Sequence, residues 1–246
     1  MTISMNEWAK YRDLLAKINE KAADEFRDAI WGANGRWHGV GIGNIPREDV
    51  IEYAHALVTK YGEASGALAA DMYDAMAELS GAAVDPALVA DTASVGDVGK
   101  ALNGAMKTSI DPEYLSAVVG RLVKQAGQDT TVQNAMRDGA QFAWIPAGKT
   151  CAFCLTLASR GWQYASKRSV KKGHAEHIHA NCDCAYAVRF NNDTEVEGYD
   201  PAEYRKMYYN ADPGGTPKDK INAMRREAYA IDKKTEGTDN SGLIEV

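Results

Sequence analysis

"AQFAWIPAGKTCAFCLTLASRG" occupies residues 140–161, and the character of the chain changes there. Before it, apolar residues recur at three- and four-residue steps, the period of amphipathic helices. Within it, "AQFAWIPAG" reads as a strand ending in a turn. "CAFCLTLASRG" then begins a helix, with Gly161 as its stop signal. A second short stretch, "HIHANCDC" at 177–184, leads into "CDCAYAVRF" (182–190), whose alternation suits another strand. All four cysteines lie in these two stretches, and His174, His177 and His179, three of the five histidines, lie beside the second. The expected fold class is therefore α+β and predominantly α. A long-helix N-terminal region (1–139) precedes a small zinc-knuckle α/β region (140–198), C-terminal helices (199–232) and a loose tail (233–246).

Working outward, residues 4–30 read as one amphipathic helix with Trp8, Tyr11, Leu15, Ile18 and Ala22 on its apolar stripe. "WGANGRWHGVGIGN" (31–44) carries five glycines in fourteen residues and reads as a connection. It lacks the order of a phosphate-binding loop and no convincing strand precedes it. A second helix is expected over 46–79, bent or broken at Gly62 and Gly66. Asp85–Pro86 and Asp111–Pro112 each read as an N-cap followed by the first helical residue. Helices are accordingly expected near 86–91, 94–107, 112–126 and 129–139. After the cysteines, "YDPAEYRKMYYNA" and "TPKDKINAMRREAYAID" read as two more helices. The apolar stripes of the first two helices exceed what a small α/β core covers, which points to packing on a partner or another copy.

The chain is 246 residues long, 45% hydrophobic, with net charge −6. An acidic balance argues against non-specific nucleic-acid binding, whose affinity comes from neutralising phosphates with Lys and Arg. Lys167, Arg168, Lys171 and Lys172 are a local exception. "MTISMNEWAKYRD" has no signal-peptide pattern, and no stretch approaches the roughly 18 apolar residues of a membrane span. A soluble protein made in a cytosol is expected, where structural disulfides are rare.

Cys151-x-x-Cys154 followed by His179-x-x-Cys182-x-Cys184 has the spacing of a metal knuckle. One C-x-x-C turn presents two thiolates to one ion, and zinc takes four N/S ligands in a tetrahedron. Five residues compete for four places. The preferred set is Cys151, Cys154, His179 and Cys182, with Cys184 as the strongest substitute and His177 or His174 able to stand in. Inert burial, a disulfide pair and a redox C-x-x-C are the other readings, the last lacking its usual βαβ context. A catalytic metal needs an open position and a general base. Asp183 and Glu176 are near, but nothing marks either as that base.

These residues carry a resemblance. C-x-x-C, a glycine ending the following turn and a late H-x-x-C-x-C resemble the signature of tailed-phage minor capsid proteins, the Mu F-like head-morphogenesis family and its Gram-positive phage minor structural group. Cys151, Cys154, Gly161, His179, Cys182 and Cys184 match it one by one, and "IPAG" and "GYDPAEY" look familial. The likeness is specific over about 140–205 and general over 1–139. Ala180 departs from the commoner H-P-x-C form, which bears on the ligand set. The resemblance implies a non-enzymatic minor head protein, in the virion and, during assembly, in the host cytoplasm. It would sit at or near the portal vertex or inside the head, with one structural zinc per chain. Its implied partners are the portal and major capsid proteins and other copies of itself, with direct DNA contact left open and no membrane. The alternative is a His–Cys-type metal-dependent nuclease acting on phage or host DNA. His174, His177 and Lys171–Lys172 favour it, and the clustering of the histidines on one loop rather than a ββα hairpin argues against it.

Overall fold

The computed structural model describes residues 2–146, 151–166 and 184–235, with side chains from 227 onward left out. Helix α1, Met5–Trp31, opens on a reciprocal cap. Ser4 Oγ accepts from the Glu7 amide at 3.2 Å and donates to the Glu7 carboxylate at 2.8 Å. Its inward face is Trp8, Tyr11, Leu15, Ala22, Phe26 and Ile30, all buried, as the three- and four-residue spacing requires. The glycine-rich stretch that follows is turns and one short 3-10 segment, Ile42–Asn44, in agreement with its reading as a connection.

Helix α2, Arg47–Ser80, is continuous for 34 residues. Gly62 and Gly66 do not break it. They make room: a Cβ on Gly62 would lie 2.8 Å from Thr92 Cγ2, and one on Gly66 2.6 Å from Val89 Cγ1. The chain at 82–94, which contains these two side chains, is extended. The helix expected near 86–91 does not form. Its backbone groups are taken instead by side chains of the neighbouring helices, which a helical segment could not use. Helix α3 is Val95–Met106 and α4 is Pro112–Asp138. α4 is one helix where two were expected, because Thr130 and Thr131 turn their hydroxyls onto the carbonyls of Ala126 (2.8 Å) and Gly127 (3.2 Å) and stay inside it.

α1, α2 and α4 pack as a three-helix bundle with α3 against α2 and α4. α4 runs antiparallel to α1, since a Cβ on Gly120 would meet the Asn19 carbonyl while Tyr11 hydrogen-bonds Thr131. It runs parallel to α2, where Ser65 faces Gly127 and Tyr73 reaches Asp138. Parallel neighbours need a long crossover, and residues 82–94 with α3 supply it. The apolar stripes of α1 and α2 are largely covered within the chain, with Leu14 and Leu79 left exposed.

The second part of the chain builds an antiparallel sheet of order β3–β2–β4 from Gln163–Tyr164 (β3), Gln141–Ile145 (β2) and Ala185–Arg189 (β4). The short helix α5, Ala152–Ala158, follows β2; α6, Pro201–Ala211, and α7, Pro217–Thr235, follow the sheet. Thr2–Ile3 (β1) pairs in parallel with Glu195–Val196 (β5), tying the start of the bundle to this region. Ala143, Ile145, Ala185 and Ala187 enter a core shared with Trp8, Tyr11, Tyr73 and Ala135 of the bundle and with Leu155, Tyr199, Tyr204 and Met224. The α+β, predominantly α class holds. No described helix is long and apolar enough to cross a membrane.

Candidate metal centre

The register of β2 on β4 decides where the cysteines go. Phe142 pairs with Val188, Trp144 with Tyr186, and Ile145 with Ala185. The ladder therefore ends with Ile145 leaving towards the C-x-x-C and Cys184 entering beside it. Cys151 and Cys154 on one side and Cys184 on the other, thirty or more residues apart in sequence, are thereby led to the same end of one sheet. Alternation then puts Phe142, Trp144, Cys184 and Tyr186 in a small cluster of their own with Val132, Cys154 and Leu157. Cys151 and Phe153 pack against that cluster.

Cys151 is the residue just before α5, half-buried, with no side-chain capping bond. Cys154 lies one turn along on the buried side of α5, and Cys184 is equally enclosed. Trp144 and Tyr186 wall the cluster as an edge-to-face pair with centroids 4.6 Å apart, and Phe142 stacks edge-on to Tyr186 at 5.2 Å. Across the sheet end, Tyr204 of α6 lies close enough to Cys184 to feel it. Its phenol is pushed above the ordinary range by burial first, then by Glu203 and Cys184. α5 is itself anchored at its far end. Tyr199 Oη donates to the Ala158 carbonyl at 2.9 Å, and Gly161, at φ +68, lies where a Cβ would be 3.3 Å from Pro201.

Of the five expected ligands, Cys151, Cys154 and Cys184 are brought into one cluster, while His179 and Cys182, with the substitutes His174 and His177, lie outside the described residues. Among the described residues no group of three or more His, Cys, Asp or Glu side chains is arranged to hold a metal. The three described cysteines are of the donor type that a borderline ion such as zinc accepts, thiols from one helical turn and one strand end beside aromatic side chains. Sequence reasoning did not single out Trp144, Tyr186 and Tyr204. Tyr186 was legible, two residues from Cys184 on one strand face, whereas Trp144 reaches it only through the pairing of β2 with β4. Tyr204 was not, because it comes from a different helix.

A family model described as VG15 protein matches residues 2–211, covering both the bundle and the cysteine-bearing region. Neither a curated protein nor a solved structure matches the chain.

Proposed function

The chain belongs to the VG15 protein family and is a viral protein, and on that premise we propose that it is a minor structural protein of a phage head. It would act at or near the portal vertex or inside the head, without catalytic turnover, in the virion and, during assembly, in the host cytoplasm. The observation that supports this reading is the convergence of Cys151, Cys154 and Cys184 at one end of the β2–β4 ladder. It supports the part of the head-morphogenesis spacing that lies among the described residues, the C-x-x-C and Cys184. In this reading one zinc is held by Cys151 and Cys154 with two of His179, Cys182 and Cys184. The ion cross-links α5 to the strand end and is structural. The proposed partners are the portal and major capsid proteins.

The test is co-expression with the portal protein of the same phage, read by size-exclusion chromatography with light scattering, and a nuclease assay with Mg²⁺, Mn²⁺ or Zn²⁺. Stable co-elution without DNA cleavage is expected. Metal-dependent cleavage abolished by His177→Ala or His174→Ala, without portal binding, would establish the nuclease instead.

A further inference from the structure

The extended segment 82–94 lies in a groove between α2 and α4 and is held almost wholly by its backbone. The Ala87 amide donates to Asp74 Oδ1 at 2.8 Å and the Ala90 amide to Thr130 Oγ1 at 3.0 Å. Asn134 grips Leu88 twice: its Oδ1 accepts from the Leu88 amide at 2.9 Å and its Nδ2 donates to the Leu88 carbonyl at 2.8 Å. Arg137 donates to the carbonyls of Pro86 (3.0 Å) and Asp85 (2.6 Å). Thr130, Asn134 and Arg137 stand at i, i+4 and i+7, so one face of α4 forms a ladder of polar groups matched to an extended strand. This is how a sheet edge reads a peptide, carried out by helix side chains.

Side chains of the segment contribute little. Leu88 is 70% exposed and Val89 46% exposed; over 85–92 only Ala90 is buried. The groove floor is Gly62 and Gly66, into which Thr92 and Val89 fit, at a spacing of four on the helix and three on the strand. Lifting the segment would uncover glycines and polar side chains, together with the small apolar contacts that Ala87 and Ala93 make at the edges of the two cores. Because these contacts are made by alanines, such an opening exposes little apolar surface and leaves the large side chains of the bundle's core in place.

We propose that the α2–α4 groove is a backbone-reading peptide site, filled here by the chain's own residues 85–92, and that the same segment of a second copy can take its place. The occupant is set by fit. The groove selects an extended backbone with small or β-branched residues three apart over the two glycines, and "DPALVADT" is a sequence that meets the condition. Segment exchange then links copies without any new surface.

Two experiments test this. In hydrogen exchange of the native chain, the amides of Ala87, Leu88 and Ala90 should open at least about a hundredfold more readily than those of mid-α2 and mid-α4, as a separate local unit does. Equal protection overturns the proposal. The variant Leu88→Pro/Ala90→Pro removes two donated amides from the segment and leaves the groove intact. A labelled peptide of residues 83–93 should bind this variant saturably, bind the native chain at least about tenfold more weakly, and lose binding when Asn134→Ala is added. A variant that keeps its helical signal yet fails to bind the peptide overturns the proposal, as does one in which the whole bundle unfolds.

Discussion

The two ends of the bundle are built differently. At one end Phe26, Ile30, Val50, Leu57, Val98, Leu102, Leu115 and Val119, all from α1 to α4, close a core on themselves. At the other, Trp8, Tyr11, Leu15, Tyr73, Met76 and Ala135 are completed by Ile145, Leu155, Ala185, Ala187, Tyr204 and Met224 from the sheet, α5, α6 and α7. The helical part is thus self-sufficient at one end only, and the shared core crosses the position near 140 where the sequence changes character. The cysteine cluster lies just beyond this core, on the opposite face of the same sheet. Whatever fixes the cysteines therefore also braces the open end of the bundle.

The largest expected effects separate the two ends. Trp8→Ala removes a fully buried side chain from the shared core and should cost about 3–5 kcal/mol, with exchange rising in α1 and also in β2 and β4. Leu102→Ala, equally buried at the closed end, should cost about 2–5 kcal/mol and leave β2 and β4 protected. Matching exchange maps for the two variants would erase the distinction. Asn134→Ala should cost about 1 kcal/mol because it leaves the part-buried Leu88 amide and carbonyl unpaired, and its effect should centre on 85–92. Asp111→Ala removes the α4 cap bond to the Tyr114 amide at 2.9 Å and should lower stability by about 1 kcal/mol in denaturant titration.

The smallest effect is a pH dependence at the joint between the ends. Arg137 first, and then Tyr73, hold the Asp138 carboxyl below its ordinary range. A depressed folded value means the contribution is complete above the unfolded value, about pH 4, and is lost as the pH falls through the folded one. Asp138→Asn should therefore flatten the acid limb of the stability profile and leave its neutral slope unchanged.

Two identical dipeptides show what was legible. Asp111–Pro112 caps and begins α4 as read. Asp85–Pro86 carries the same signal and begins no helix, because Arg137, Asn134, Thr130 and Asp74 offer the backbone more hydrogen bonds from outside than a short helix offers from within. That competition depends on residues about fifty positions away, beyond the reach of local pattern. Gly62 and Gly66 were visible as exceptions in a helix, and their purpose needed the segment that lies on them. The helical period set α1 and α2 to within a residue, and the alternation located β2 and β4 inside longer stretches. Spacing suggested that Cys184 meets the C-x-x-C, but the Trp144–Tyr186 register that brings it there is a long-range pairing with no local signature.

The central claim is that the two cysteine stretches form one zinc knuckle bracing the open end of the bundle, and metal content tests it most directly. Elemental analysis of the native protein, paired with thiol titration before and after chelation, should find about one zinc per chain. Thiols should react only slowly until the metal is removed, and Cys151→Ser/Cys154→Ser should carry none. A native protein without zinc, whose four thiols react at once while β2 and β4 remain protected, would contradict the account.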